Sequence, residues 1–434
     1  MTSPDRTTPP AISQVTGLIL PTMDEIVLPG GATLHIYDGC DTPVNAITVI
    51  RHGGNAEADN SAMAEIYAKM HREGSKNFTG AQLADILDYN GSWMATSCTP
   101  HHLSLKYFSL NSKMKNVLPA IADSTLHPAF PEEALEVNRH ATANRIAVER
   151  EKVQYLAAEC STRRIMGITH PLSQPVVPDD AMAVTAESLH EMSAKFADAS
   201  NLHIYVAGKI TPDILSRISD AFSTDAPSRP ATPLDIKPFS SEPASLTPSI
   251  IDRPGSKQSA VHITLPAIGR HHPDYVALHL AVTALGGYFG SRLMQNIREE
   301  KGLTYGISAG LLGYLDGGYT LISTECDNAY TAQVVDEIRH ELRRLATDPC
   351  CGEELMRLRQ SASASLLEVI ETPFSIASYR VLEQTTGMTS DYFDCKQKML
   401  ENLTPELISD VAKRYLDPDN ILITIAGDRK AMPF

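Results

Sequence analysis

The sequence predicts an α+β protein of two homologous domains, each a mainly antiparallel sheet with helices packed on one face. Three observations carry this. First, Val184–Gly208 (VTAESLHEMSAKFADASNLHIYVAG) aligns without a gap onto Leu403–Gly427 (LTPELISDVAKRYLDPDNILITIAG), at an offset of 219 residues. A repeat that long is no solenoid unit and marks a duplicated domain. Second, Pro227–Pro248 holds six prolines in 22 residues. Such a stretch cannot be regular helix or central strand and reads as a semi-rigid linker. Third, strand-type segments precede helix-type segments in each half, the order of an α+β domain. The expected layout is a flexible or disordered tail over 1–20, an N-terminal domain over 21–226, the linker over 227–248 and a C-terminal domain over 249–434.

The elements follow in order. The first residues are rich in Thr, Ser and Pro with no apolar run, hence the tail. Glu25–Tyr37 reads as a strand pair turning at Pro29-Gly30-Gly31, and Asn45–His52 as a strand. Asn60–Arg72 and Gln82–Tyr89 read as helices, Trp93–Leu110 as a strand pair, and residues 113–168 as mainly helical. In the repeat, Thr185 and Thr404 cap helices that carry Glu187 and Glu406 in the first turn. Phe196 and Tyr415 close those helices, Asn201 and Asn420 turn the chain, and apolar strands end at Gly208 and Gly427. The second half repeats the order: strand Ser259–Ile268, helices Tyr275–Leu285 and Ser291–Glu300, strands over Leu303–Cys326, helix Thr331–Thr347, then helices to Tyr415.

Composition narrows the function. Hydrophobic content of 43% and charged content of 21% are those of a soluble globular protein. A net charge of −15 argues against nucleic acid and anionic membranes. No apolar run reaches the length of a membrane span. The seven cysteines are odd in number and form no C-x-x-C pair, so neither a disulfide framework nor a cysteine zinc site is indicated. The N-terminus has no apolar signal core. A reducing cytoplasm fits, or the periplasm if a leader has been removed.

The densest stretch is Gly290–Gly310, GSRLMQNIREEKGLTYGISAG. Lys301 and Gly302 form a helix stop, and a strand starts at Leu303. The turn brings Arg298, at the helix end, near Tyr305, at the strand start. A guanidinium and a phenol presented together can hold a peptide carbonyl and stabilise an oxyanion. Spacing alone also fits a surface Arg beside a half-buried Tyr. The segment resembles the C-terminal half of the insulinase/pitrilysin family of zinc peptidases, where a helix ending in Leu-Arg-Glu-Glu-Lys-Gly-Leu leads into a strand with a Tyr seven residues after the Arg. LPGGATLHIY resembles the same family's opening strand, and the resemblance runs from about Ile26 to Asp428. It implies a clam-shell fold around a peptide chamber. It also implies that Arg298 and Tyr305 bind substrate and stabilise the transition state.

The family's zinc motif, His-x-x-Glu-His on a helix, corresponds to Ala62–Ser75, AMAEIYAKMHREGS. Met70, Gly74 and Ser75 match, but the chemistry is gone. Glu65 stands at the first His, Ala68 at the Glu and Lys69 at the second His. An ammonium repels a dication, alanine cannot activate water, and Glu followed four residues later by Lys is the favourable order for a helix ion pair. The family's third ligand, a Glu on a later helix, falls near Asn144–Ile146, where no carboxylate stands; Glu149 lies one turn on. No metal is expected in this chain. His71, one turn from the motif, reads as a solvated helix histidine, and the His101-His102 and His271-His272 pairs as structural, since strand neighbours point to opposite faces.

The resemblance then implies a non-catalytic subunit that is inactive alone. It would supply Arg298 and Tyr305 in trans to a zinc-bearing paralogue of similar length, with a peptide as substrate and a homodimer possible in isolation. In this view the chain forms half of the clam-shell. The alternatives are a peptide-binding or scaffold protein without peptidase activity, and an active homo-oligomeric zinc peptidase.

Overall fold

A computed structural model describes residue 7 and residues 15–224, 229–315 and 317–434. Most of the expected N-terminal tail lies outside the described residues, as do residues 227–228 of the Pro-rich stretch. The first sheet comprises β1 (Asp24–Val27), β2 (Thr33–Asp38), β3 (Val44–His52), β4 (Trp93–Cys98), β5 (His102–Leu110) and β6 (His203–Gly208), in the order β1-β2-β6-β3-β5-β4. The second comprises β7 (Ser245–Asp252), β8 (Gln258–Ala267), β9 (Thr304–Gly313), β10 (Gly318–Asp327) and β11 (Leu422–Gly427), in the order β7-β11-β8-β10-β9.

The sequence repeat is also a topological one. β6 lies parallel to β2 and antiparallel to β3, and β11 lies parallel to β7 and antiparallel to β8. Every other pairing is antiparallel. β6 and β11 are buried along almost their whole length because both faces are covered. The capping threonines act as expected: Thr185 accepts from Ser188 N–H, and Thr404 from Leu407 N–H. The second sheet starts at Ser245, inside the Pro-rich stretch.

One face of each sheet packs on the helices of its own domain. In the first, Ile47, Val49, Leu103 and Leu105 meet Met63, Ile66 and Tyr67 of helix Ser61–Met70 and Leu118 and Ile121 of helix Met114–Leu126. In the second, Val261, Ile263, Ile423 and Ile425 meet Leu278, Ile297, Ile338 and Val411.

The opposite faces are covered by an exchange between domains. Helix Val153–Met166, from the first half, lies on the second sheet. There Ala157 packs against Ala260 and Ala426, Ser161 Oγ bonds His262 Nδ1 at 3.0 Å, and Arg164 donates to the Ile423 carbonyl at 2.7 Å. Helix Pro373–Thr386, from the second half, lies on the first sheet, with Phe374 against Phe108 at 4.6 Å between ring centroids. The N-terminal segment joins the exchange. Leu18 and Leu20 pack on the second domain's core before β1 enters the first sheet.

One local expectation, regular α-helix, needs correction at two places, the first being residues 283–287 at the end of the expected helix Tyr275–Leu285, which wind as π turns. The helix over Ser291–Glu300 is not a regular α-helix: residues 294–300 wind as π turns, and Lys301 N–H reaches back five residues to the Asn296 carbonyl at 3.1 Å. Such wide turns re-aim the side chains they carry and recur at functional sites.

Candidate functional site

The turn after this helix sets the first group of residues. Gly302 sits at φ +63°, the left-handed conformation that favours glycine. Its N–H donates to the Arg298 carbonyl at 3.1 Å, and Leu303 N–H donates to the Ile297 carbonyl at 3.0 Å. The chain therefore doubles back, and β9 starts beside the helix end. Arg298 and Tyr305 meet there as expected, the guanidinium carbon 5.6 Å from the phenol ring centroid. A third residue, not singled out from sequence, completes the group: the Phe289 ring lies 4.8 Å from the same guanidinium carbon. Arg298 is thus flanked by two aromatic rings, an arrangement that holds the plane of the fork while its edge still carries N–H donors. Glu299 Oε1 lies 3.5 Å from one of its nitrogens. Tyr305 is 90% exposed and Phe289 60% exposed. The Tyr305 phenol faces solvent and the Arg298 side chain beside it is 29% exposed, so both can donate to a carbonyl oxygen brought to them.

The degenerate zinc motif lies on helix Ser61–Met70 of the first domain. Glu65 and Lys69 share a helix face and pair at 2.7 Å. Arg145, on helix Glu132–Glu149, donates to the same carboxylate through Nε at 3.2 Å and through a second, Nη2 bond. Arg145 falls in the span where the resemblance expects the third zinc ligand. Two cations converge on one carboxylate, so the position that would hold a dication is already filled by protein charge. Ala68 is buried beneath them. These residues do not fit a zinc ion: neither imidazole nor thiolate is present, and Lys69 and Arg145 repel a metal. Among the described residues no group of three His, Cys, Asp or Glu side chains is placed to hold one.

His71 corrects a second expectation. It is fully buried, not solvated, with its ring edge-on to Tyr67 and Phe130. Its Nδ1 donates to the Tyr67 carbonyl at 2.9 Å, and Arg51, itself buried, donates to the Tyr67 hydroxyl. Burial first, and the Arg51 charge second, push the His71 pKa down to about 3. It is a neutral core histidine at physiological pH. His101 is likewise structural, bonding buried Glu57 at 2.8 Å.

Arg145 and Phe289 were missed from sequence. A cation in the span where a ligand carboxylate was sought could have flagged Arg145. An aromatic nine residues before Arg298 carries no comparable signal.

Residues 183–361 match the family described as the peptidase M16 inactive domain. That span contains Arg298 and Tyr305 and leaves out Glu65, Ala68 and Lys69. The chain is 21% identical over 290 residues to an uncharacterized zinc protease of Streptomyces coelicolor, covering 66% of this chain and 63% of that protein. It therefore spans less than two thirds of that relative's length. It is 20% identical over 305 residues to the uncharacterized zinc protease YmxG of Bacillus subtilis, covering 70% and 73%. A solved peptidase M16 inactive domain from Pseudomonas fluorescens shares the fold at TM-score 0.84 and 20% identity, over 94% of this chain and 98% of that one. A protease from Helicobacter pylori does so at TM-score 0.85 and 15% identity, over 94% and 100%. Among the described residues no helix is long and apolar enough to cross a membrane. Residues 183–361 are thus similar to the peptidase M16 inactive domain, and the fold of 94% of the chain is similar to that of the solved Pseudomonas fluorescens domain.

Proposed function

We propose that this chain is the non-catalytic subunit of a two-chain zinc peptidase. Arg298 and Tyr305 hold the substrate's peptide carbonyl, and a paralogue of similar length supplies the zinc and the general base. One contrast carries the reading. The Arg298/Tyr305 group pairs an exposed phenol with a partly exposed guanidinium held near two aromatic rings, while the zinc position is filled by Lys69, Glu65 and Arg145. A protein that only needed the fold would have no use for an exposed tyrosine beside an oriented arginine. In a shared chamber these two donors reach the carbonyl from the side opposite the metal, and bonds to a developing oxyanion are stronger than bonds to the neutral carbonyl. The seven cysteines are all free, which suits a reducing cytoplasm.

The test is co-purification at native expression level. A second chain of about 400 residues bearing His-x-x-Glu-His should accompany this one in near-stoichiometric amount, and the pair should hydrolyse a quenched-fluorescence peptide that neither chain cleaves alone. Recovery of this chain only with itself or with non-peptidase partners would favour the scaffold reading.

A further inference from the structure

The exchange of helices between the domains carries a device that the proposed function does not use. On the outer face of the first sheet, His35 of β2 and His203 of β6 bond ring to ring, Nε2 to Nδ1, at 3.2 Å. His35 Nδ1 meets Glu25 Oε1 of β1 at 3.1 Å. His203 Nε2 meets the Gln384 side-chain amide at 3.5 Å, on the helix Pro373–Thr386 that comes from the second domain. The same helix holds the segment leading into β1, since Arg380 donates to the Pro21 carbonyl at 2.9 Å and pairs with Glu383 at 2.7 Å. A cavity of about 530 Å³ opens beside these groups at the domain boundary, lined in part by Glu25, His35, His271, Arg380 and Glu383.

Donor and acceptor roles follow from one end. A carboxylate only accepts, so His35 Nδ1 carries the hydrogen and, in the neutral ring, Nε2 accepts. His203 Nδ1 then donates, which leaves its Nε2 to accept from Gln384. Each ring donates once and accepts once. A proton arriving on either ring turns an acceptor into a donor, and the bond there survives only if the chain beyond it reverses and Gln384 turns its amide. Two protons leave the ring-to-ring bond with no acceptor and set two cations 3.2 Å apart.

We propose that Glu25–His35–His203–Gln384 is a proton-sensitive clasp between the two domains, closed while both imidazoles are neutral and released in acid. The groups around it are mixed in sign. Glu25 and Glu383 favour a charged imidazole, whereas Arg380 and the neighbouring His52 of β3 and His102 of β5 oppose one; His271 faces the same cavity, and Tyr205 of β6 stacks on His35 at 4.3 Å. Burial outweighs the attraction. It lowers the pKa of His35 and, with the facing His35 and His52, brings that of His203 down to about 4. This inference does not depend on the proposed function, because the clasp belongs to the isolated chain.

Hydrogen exchange of the full chain tests it, with rates corrected for intrinsic exchange. Between about pH 7.5 and about pH 4.5, residues 373–386 and 17–27 should lose about tenfold or more in protection. His203→Gln donates and accepts like the neutral ring but does not titrate, and in it the same segments should lose at least about threefold less than in the wild type. His35→Gln should do the same and serves if His203→Gln does not fold. A loss below about threefold in the wild type overturns the proposal. So does a loss in a folded Gln variant equal to that of the wild type.

Discussion

Replacing Glu65 with Gln removes the anion on which Lys69 and Arg145 converge. The side chains of Glu65, Lys69 and Arg145 are 28%, 38% and 46% exposed, so the interaction lies between a surface pair and a buried one. Surface pairs contribute about 0.2–1 kcal/mol, and two-pronged Arg–carboxylate contacts stand at the upper end. Lys69→Ala alone should therefore cost only about 0.3–0.5 kcal/mol, the value of an i, i+4 pair. Glu65→Gln loses both pairs and leaves two cations facing each other, which should cost about 1–2 kcal/mol. The sharper quantity is the coupling between Glu65→Gln and Arg145→Gln in a double-mutant cycle, expected at about 1 kcal/mol and weakened in high salt. Urea unfolding of the four proteins measures it. A coupling below about 0.3 kcal/mol would mean Arg145 does not occupy the site, and one above about 3 kcal/mol would mean the cluster is buried rather than an open, degenerate metal position.

Other outcomes follow from the same geometry. The dialysed chain should hold far less than one zinc by elemental analysis, and the Glu65→His/Ala68→Glu/Lys69→His variant should still bind it poorly because Arg145 remains; adding Arg145→Glu should raise affinity markedly, and tight binding without that fourth change would contradict the reading of Arg145. Stability should be acid-sensitive. His71 is buried neutral with its pKa lowered from 6.5 to about 3, so its contribution is complete above pH 6.5 and is lost as the pH falls toward 3. Each such histidine contributes a slope of about 1.4 kcal/mol per pH unit. Urea midpoints that stay flat from about pH 6.5 to about pH 5 would show that no buried histidine gains a proton on unfolding.

Much of the architecture could be read before any coordinates because the duplication repeats local signals. Thr185 and Thr404, Asn201 and Asn420, and the terminal glycines mark the same helix–turn–strand unit, and both copies place their strand at the same point in a sheet. The Arg298–Tyr305 proximity was legible because a single glycine stop dictates it. Features that depend on distant chain segments were not legible. The Glu65–Arg145 contact joins residues 80 positions apart, and nothing local to either distinguishes it from a solvated charge. His71 ends a helix whose other polar residues are accessible, and only the packing of Phe130 over it decides its burial. The π turns over residues 294–300 have no compositional mark. The helix exchange between domains reads locally as two ordinary helices.

Tyr305→Phe in the reconstituted pair tests the central claim most directly. The change deletes one hydroxyl from a side chain that is 90% exposed, so folding and assembly should move by less than about 1 kcal/mol. Loss of one donor aimed at an oxyanion lowers kcat by about 10²–10³. The account predicts that loss in peptide hydrolysis by the assembled pair, together with weaker peptide binding in Arg298→Ala. If the pair assembles and kcat for Tyr305→Phe stays within about twofold of wild type, Tyr305 takes no part in the chemistry, and the chain is a scaffold rather than a contributor to the active site.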